Sequence, residues 1–96
     1  MIDRFSAAAN AFTTCLGATV QMGMTTRMDP ATFKDGLAKS CLPEEARFKA
    51  LALEVSIANG QAEEQATAEI EANIVKGRAI YASDQEQYVK TGRIPR

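Results

Sequence analysis

Residues 43–82 read PEEARFKALALEVSIANGQAEEQATAEIEANIVKGRAIYA, and the parsing of this stretch decides the fold. Pro43 suits the first position of a helix, where its missing N–H is no loss and its fixed φ is pre-organised. Glu44 and Glu45 then place negative charge in the first turn, which the helix dipole favours. From there Phe48, Ala52, Val55, Ala58, Ala62, Ala66, Ile70, Ile74, Gly77 and Tyr81 recur at intervals of three or four, the period of one helical face, and Tyr88 extends the series. A helix unbroken over 43–82 is about 60 Å long, twice the roughly 30 Å expected across a compact domain of this size. Either the helix kinks or breaks at Asn59-Gly60, the most turn-prone dipeptide in the chain, or its far half projects and is covered by another subunit. The stripe keeps phase through Asn59-Gly60, which favours the continuous helix and a homodimer. Ala62, Ala66 and Ile70 are the expected seam of that dimer.

Upstream, no charged residue occurs from Phe5 to Thr26, while Phe5, Ala8, Phe12, Cys15, Leu16, Thr19 and Gly23 keep helical spacing. A first helix over about 4–24, buried on more than one side, is expected. Ser6, Asn10, Thr13, Thr14, Thr19 and Gln21 make it too polar for stable membrane insertion. Asp29-Pro30 is an N-cap followed by proline at the first helical position, so a second helix over about 30–41 is expected. It carries Phe33, Leu37 and Cys41 on one face, and Gly36 weakens its middle by about 1 kcal/mol relative to alanine. Ser83-Asp84-Gln85-Glu86 has capping-box spacing and is a second place for the long helix to end, leaving a short C-terminal extension. The alternative there is that Gly77, Tyr81, Asp84 and Tyr88 continue the earlier phase; Gly92 and Pro95 supply the stop. The expected fold is all-α: a helical hairpin packed on a long third helix, one domain over 1–96.

Composition bounds the function. Eleven Lys and Arg against twelve Asp and Glu give a net charge of −1 with no block of one sign, which disfavours phosphate-driven nucleic-acid binding. The chain has no histidine, so imidazole catalysis and histidine metal ligation are absent. A 96-residue chain whose hydrophobic content is largely alanine has a thin core, and its stability is expected to call on a staple or a partner chain.

Cys15 lies about 14 Å of helical rise before the first turn and Cys41 about 17 Å after Pro30. An antiparallel hairpin sets them side by side, which favours a structural disulfide over two buried free thiols. Closing a loop of that size stabilises a fold by roughly 3.5 kcal/mol in the chain-entropy model. A reactive thiol is disfavoured because Cys15 sits on an apolar, uncharged face, and burial of that kind raises a thiol pKa. Two cysteines alone also leave the tetrahedral shell of zinc incomplete. Glu63, Glu64, Glu69 and Glu71 flank the apolar stripe as a solvated face does, without the Glu-x-x-His element of a di-metal carboxylate site. Tyr81 and Tyr88, near Arg78 and Lys90, offer an interface of tyrosine and arginine; the plainer reading packs both rings on the end of their own domain. Met22, Met24 and Met28 read as fillers of an irregular corner.

The pattern Phe12-x-x-Cys15-Leu16, then Phe33-x-x-x-Leu37-x-x-x-Cys41, then Glu44-Glu45-Ala46-Arg47-Phe48 and an alanine-rich helix ending in tyrosine resembles that of a group of small exported helical proteins. These are two-cysteine proteins of the periplasm of Gram-negative, particularly alphaproteobacterial, species. The resemblance covers most of the chain and implies export, a disulfide and a helical bundle; it carries no assigned activity and no functional residue. Asp3 and Arg4 are followed by no unbroken apolar run, so export implies a leader that the numbered chain lacks, with Met1 standing in its place. The expectation is a non-enzymatic interaction or structural protein, periplasmic or secreted, with cytoplasmic residence as the alternative. It is expected to be a homodimer with room for an unidentified protein partner, without cofactor or metal. The alternative function is a module that holds an apolar small molecule or lipid between the first and third helices.

Overall fold

The structure, a computed structural model, describes residues 2–93; Met1 and the stop expected at Pro95 lie outside them. Four helices follow one another, α1 (Ile2–Thr25), α2 (Pro30–Ala38), α3 (Leu42–Ala58) and α4 (Glu63–Thr91), with no strand among the described residues. Their directions follow from which residues meet. Along α1, Phe5 and Phe12 meet Phe48, Cys15 meets Cys41 and Gly23 meets Phe33, so α2 and α3 run against α1. Along α4, Glu71 meets Lys49, Arg78 meets Glu45 and Gln85 meets Met28, so α4 runs against α2 and α3 and with α1. Four helices thus form three rods, the middle one broken between α2 and α3. The molecule measures 45 × 23 × 23 Å, and its long dimension is that of α4, whose 29 residues span about 44 Å.

The continuous helix favoured over 43–82 is not what forms. α3 ends at Ala58, and Gly60 takes a left-handed φ of 91°. Its N–H donates to the Ile57 carbonyl at 2.9 Å and the Gln61 N–H to the Ser56 carbonyl at 3.0 Å, the paired bonds of a Schellman ending. Phase failed as a guide because it records which residues are buried, not whether they belong to one helix. Two antiparallel helices can each bury their stripe in the same core, and α4 folds back along α3. The opposite correction applies at Ser83-Asp84-Gln85-Glu86, where α4 runs through to Thr91 and ends at left-handed Gly92, whose N–H donates to the Tyr88 carbonyl at 2.7 Å.

α1 is buried along one stripe, Ala8, Phe12, Leu16, Val20 and Gly23, while Ala7, Ala11, Thr14, Ala18 and Gln21 face outward. The expectation of burial on several sides equated absence of charge with absence of solvent. α2 stops at Ala38, short of the expected residue 41, where the Lys39 and Ser40 N–H groups turn to the Gly36 and Leu37 carbonyls, each at 3.1 Å, in the three-residue bonds that tighten a last turn. Cys41 is therefore not in α2. It takes a left-handed φ of 58° and caps α3, where its carbonyl accepts from the Glu45 N–H at 2.9 Å.

The core gathers Phe12, Leu16, Val20, Phe33, Leu37 and Cys41, with Phe48, Ile74 and Tyr81 packed against them. Cys15 and Cys41 form a disulfide, Cα to Cα 6.0 Å, which ties α1 to the α2–α3 turn across a sequence separation of 26. Among the described residues, no helix is long and apolar enough to cross a membrane.

Candidate functional site

Arg78 reaches from α4 into the α2–α3 turn. Its Nε and Nη2 donate to Glu45 Oε1 at 3.1 and 2.9 Å, Nη2 also donates to the Ser40 carbonyl at 2.9 Å, and Nη1 donates to the Leu37 carbonyl. The guanidinium carbon lies 5.5 Å from the centre of the Phe12 ring, within the range of cation–π attraction. The side chains of Arg78 and Glu45 are only 11% and 18% exposed. The Leu37 carbonyl in the last turn of α2 also accepts from the Ser40 N–H and Oγ, at 3.1 and 2.9 Å, and the Ser40 carbonyl in the turn beyond is satisfied from α4.

About two and three turns further along α4, the same role passes to Gln85 and Tyr88. Gln85 is fully buried; its Nε2 donates to the Gly23 carbonyl at 3.2 Å and the Met28 carbonyl at 2.8 Å, while its Oε1 is without a partner. Arg27 takes a left-handed φ of 49° at the end of α1, lies 5.7 Å over the Tyr88 ring and donates to the Val89 carbonyl at 3.3 Å. Both inter-helix turns on this side are thus fastened by polar side chains exchanged with α4. Sequence reasoning missed Gln85 because glutamine is rarely buried; the signal available was its place four residues beyond Tyr81 on the buried face.

The other face of α4 is largely exposed. Ala68, Ala72, Val75, Ala79 and Ala82 follow one another at steps of four, three, four and three, and the first four are exposed, Val75 at 68%. Beside them a groove of about 460 Å³ runs between α2 and α4, lined by Leu37, Ala38, Ile74, Val75, Ala79 and Ala82 together with the charged Lys34, Glu45 and Arg78. A smaller depression of about 160 Å³ continues it past Pro30 and Ser83 to Glu86. Glu86 accepts from Lys90 at 2.7 Å. That bond, then the Lys90 charge and more weakly that of Lys34, hold its carboxyl below the ordinary value against a small opposing effect of burial.

The residues singled out from sequence fall on both sides of this division. Ala66 is 1% exposed, buried within its own chain, and Ile70 is half-buried. Ala62 caps α4 at its start. Tyr81 packs on the core and Tyr88 lies under Arg27, so both rings are engaged by their own domain. Met24 and Met28 fill the corner against the core, while Met22 is 64% exposed. Glu63, Glu64, Glu69 and Glu71 are exposed; Glu69 accepts from Gln61 and Gln65, and Glu71 pairs with Lys49 at 3.3 Å. Between α1 and α4, where an apolar ligand was expected, lies a shallow groove of about 200 Å³ lined by Phe12, Leu16, Phe48, Ile74 and Tyr81. The larger groove is the one between α2 and α4. Compared with protein-family models, with curated proteins and with solved structures, the chain matches none.

Proposed function

We propose that this chain is a non-enzymatic helical interaction protein of an oxidising compartment, the periplasm or the secreted space, that pairs with a second copy through the outer face of α4. The observation that carries this reading is that α4 bears two apolar stripes. The inner one turns toward the chain's own helices, with Ala66 buried, Ile70 half-buried and Ile74 and Tyr81 packed against the core, and so offers a second copy less surface than the outer one. The outer one, Ala68, Ala72, Val75, Ala79 and half-buried Ala82, has the alternating spacing of a coiled-coil seam, and its first four residues stand in solvent. Its small side chains suit close approach of a second helix. The Cys15–Cys41 disulfide supports the compartment, because such bonds persist where thiols are not kept reduced.

Light scattering decides the association. Wild-type protein is expected at twice the monomer mass, Ala79→Glu at the monomer mass with unchanged helical circular dichroism, and Ala66→Glu unfolded because it puts a charge into the core. A wild-type monomer at high micromolar concentration overturns the dimer. A free-thiol count on protein from its native host tests the compartment: two titratable thiols per chain overturn the oxidising location.

A second reading rests on the α2–α4 groove itself, whose volume of about 460 Å³ falls in the range of small-molecule sites. Its apolar lining fits an acyl chain or similar ligand. Native mass spectrometry of protein from its host distinguishes the two: a co-purifying mass on a monomer favours the ligand, a bare dimer the self-association.

A further inference from the structure

The disulfide lies beside a third donor that sequence reasoning did not count. The sulfurs of Cys15 and Cys41 and a carboxylate oxygen of Glu44 all lie within 4.8 Å of one another. Glu44 occupies the first turn of α3 and is half-buried, and among the described residues its carboxylate has no ion pair or hydrogen bond. The Thr19 hydroxyl is 3.9 Å from the Cys41 sulfur. While the sulfurs are bonded to each other they cannot act as thiolate ligands. Once they are separated, the cluster offers two soft donors and one hard one around an open fourth position, a set suited to Zn²⁺.

We propose that the reduced chain binds one Zn²⁺ through Cys15, Cys41 and Glu44, with water as the fourth ligand, so that the metal replaces the disulfide as the fastening between α1 and the α2–α3 turn. The reductant is a dithiol: its two sulfhydryl groups become a disulfide, and their two electrons and two protons convert the Cys15–Cys41 bond into two thiols. Zn²⁺ then displaces both thiol protons, and the Glu44 carboxylate completes the protein donors.

The geometry permits the exchange without refolding. A tetrahedral ion with Zn–S bonds of about 2.3 Å holds its sulfurs about 3.8 Å apart, a separation that rotation of the two side chains reaches from Cα atoms 6.0 Å apart. The turn that presents Cys41 is held independently of the disulfide, by Arg78 on the Leu37 and Ser40 carbonyls and by the Glu45 N–H on the Cys41 carbonyl. Cys15 is fixed by α1, whose neighbouring Phe12 and Leu16 are buried in the core.

The test uses the full chain, oxidised and phosphine-reduced under argon, titrated with Co²⁺ as a spectroscopic stand-in and then with Zn²⁺. Reduced protein is expected to bind one Co²⁺ per chain with thiolate charge-transfer and tetrahedral d–d bands that Zn²⁺ bleaches; oxidised protein is expected to show neither. Glu44→Gln keeps both thiols and should weaken Co²⁺ binding by roughly ten-fold or more, and Cys41→Ser should abolish the bands. Absence of bands at millimolar Co²⁺, one metal per two chains, or undiminished binding by Glu44→Gln overturns the site. Should the reduced chain lose its helical circular dichroism, recovery on adding Zn²⁺ supports the proposal and failure to recover overturns it.

Discussion

The guanidinium of Arg78 meets the carboxylate of Glu45 at 2.9 Å, 33 residues away in sequence, and at the same time closes the carbonyl end of α2 through Leu37 and Ser40. One side chain therefore joins three helices in a largely dry setting. Removing either partner leaves an uncompensated charge there, which costs more than the intact pair contributes.

Arg78→Met is accordingly expected to lower the unfolding free energy by about 3 kcal/mol, since it leaves Glu45 and the Ser40 carbonyl without their donor, while the Leu37 carbonyl keeps that of Ser40. Glu45→Gln, which keeps an acceptor for Arg78, should cost less than half as much. Urea unfolding of both single variants and the double variant checks this through their coupling; strictly additive costs would sink the idea of a shared pair.

The disulfide closes a loop whose ends are 26 residues apart, and its loss is expected to cost about 3.5 kcal/mol. For a domain of this size that corresponds to a fall in Tm of roughly 15–25 °C. Scanning calorimetry of wild type against Cys15→Ala/Cys41→Ala measures it in metal-free buffer. A change of only a few degrees would mean that the Arg78 contacts already restrict the turn.

Gly23 and Gly36 should respond to alanine in opposite directions. A Cβ on Gly23 would lie 2.5 Å from two carbons of the Phe33 ring, whereas one on Gly36 meets nothing within 4 Å. Gly23→Ala is expected to destabilise by about 1–3 kcal/mol through forced movement of a buried ring. Gly36→Ala, in the last turn of α2 and in open space, should stabilise by up to about 0.5–1 kcal/mol. Thermal melts of the two variants suffice.

Glu86 is held below its ordinary pKa, first by the hydrogen bond from Lys90, then by the Lys90 charge. A depressed carboxyl contributes stability that is fully present above its unfolded-state pKa and lost as pH falls through the lower folded value. Lys90→Ala should move the Glu86 midpoint upward, toward the ordinary value, in a carbon-detected NMR titration. An unmoved midpoint would assign the depression elsewhere, and because the pair is exposed its effect on the melting temperature should be small.

Much of the architecture was legible in the residues. The N-cap at Asp29-Pro30 starts α2, with Asp29 Oδ2 accepting from the Thr32 N–H at 3.1 Å; Pro43 sits in the opening turn of α3, and Gly92 stops α4. These are local effects, set by φ, missing donors and left-handed positions within a few residues. The pairing of Cys15 with Cys41 was also within reach, because helical rise converts sequence distance into height along a hairpin.

What the sequence by itself determined, then, is an all-α chain, the starts of the second and third helices at Asp29-Pro30 and Pro43, and one inward stripe along each helical stretch. Tertiary structure decided the rest. Whether Asn59-Gly60 ends a helix depended on whether α4 had a surface to fold back on, since the local cost of a left-handed glycine is small beside the apolar area buried along α3. Which way Arg78 and Gln85 point was decided by carbonyls at the ends of α1 and α2, partners 38 to 62 residues distant that no local pattern encodes. The outer stripe of α4 became a surface for the same reason: periodicity marks residues that can be buried, and only the completed packing determines which of them remain in water.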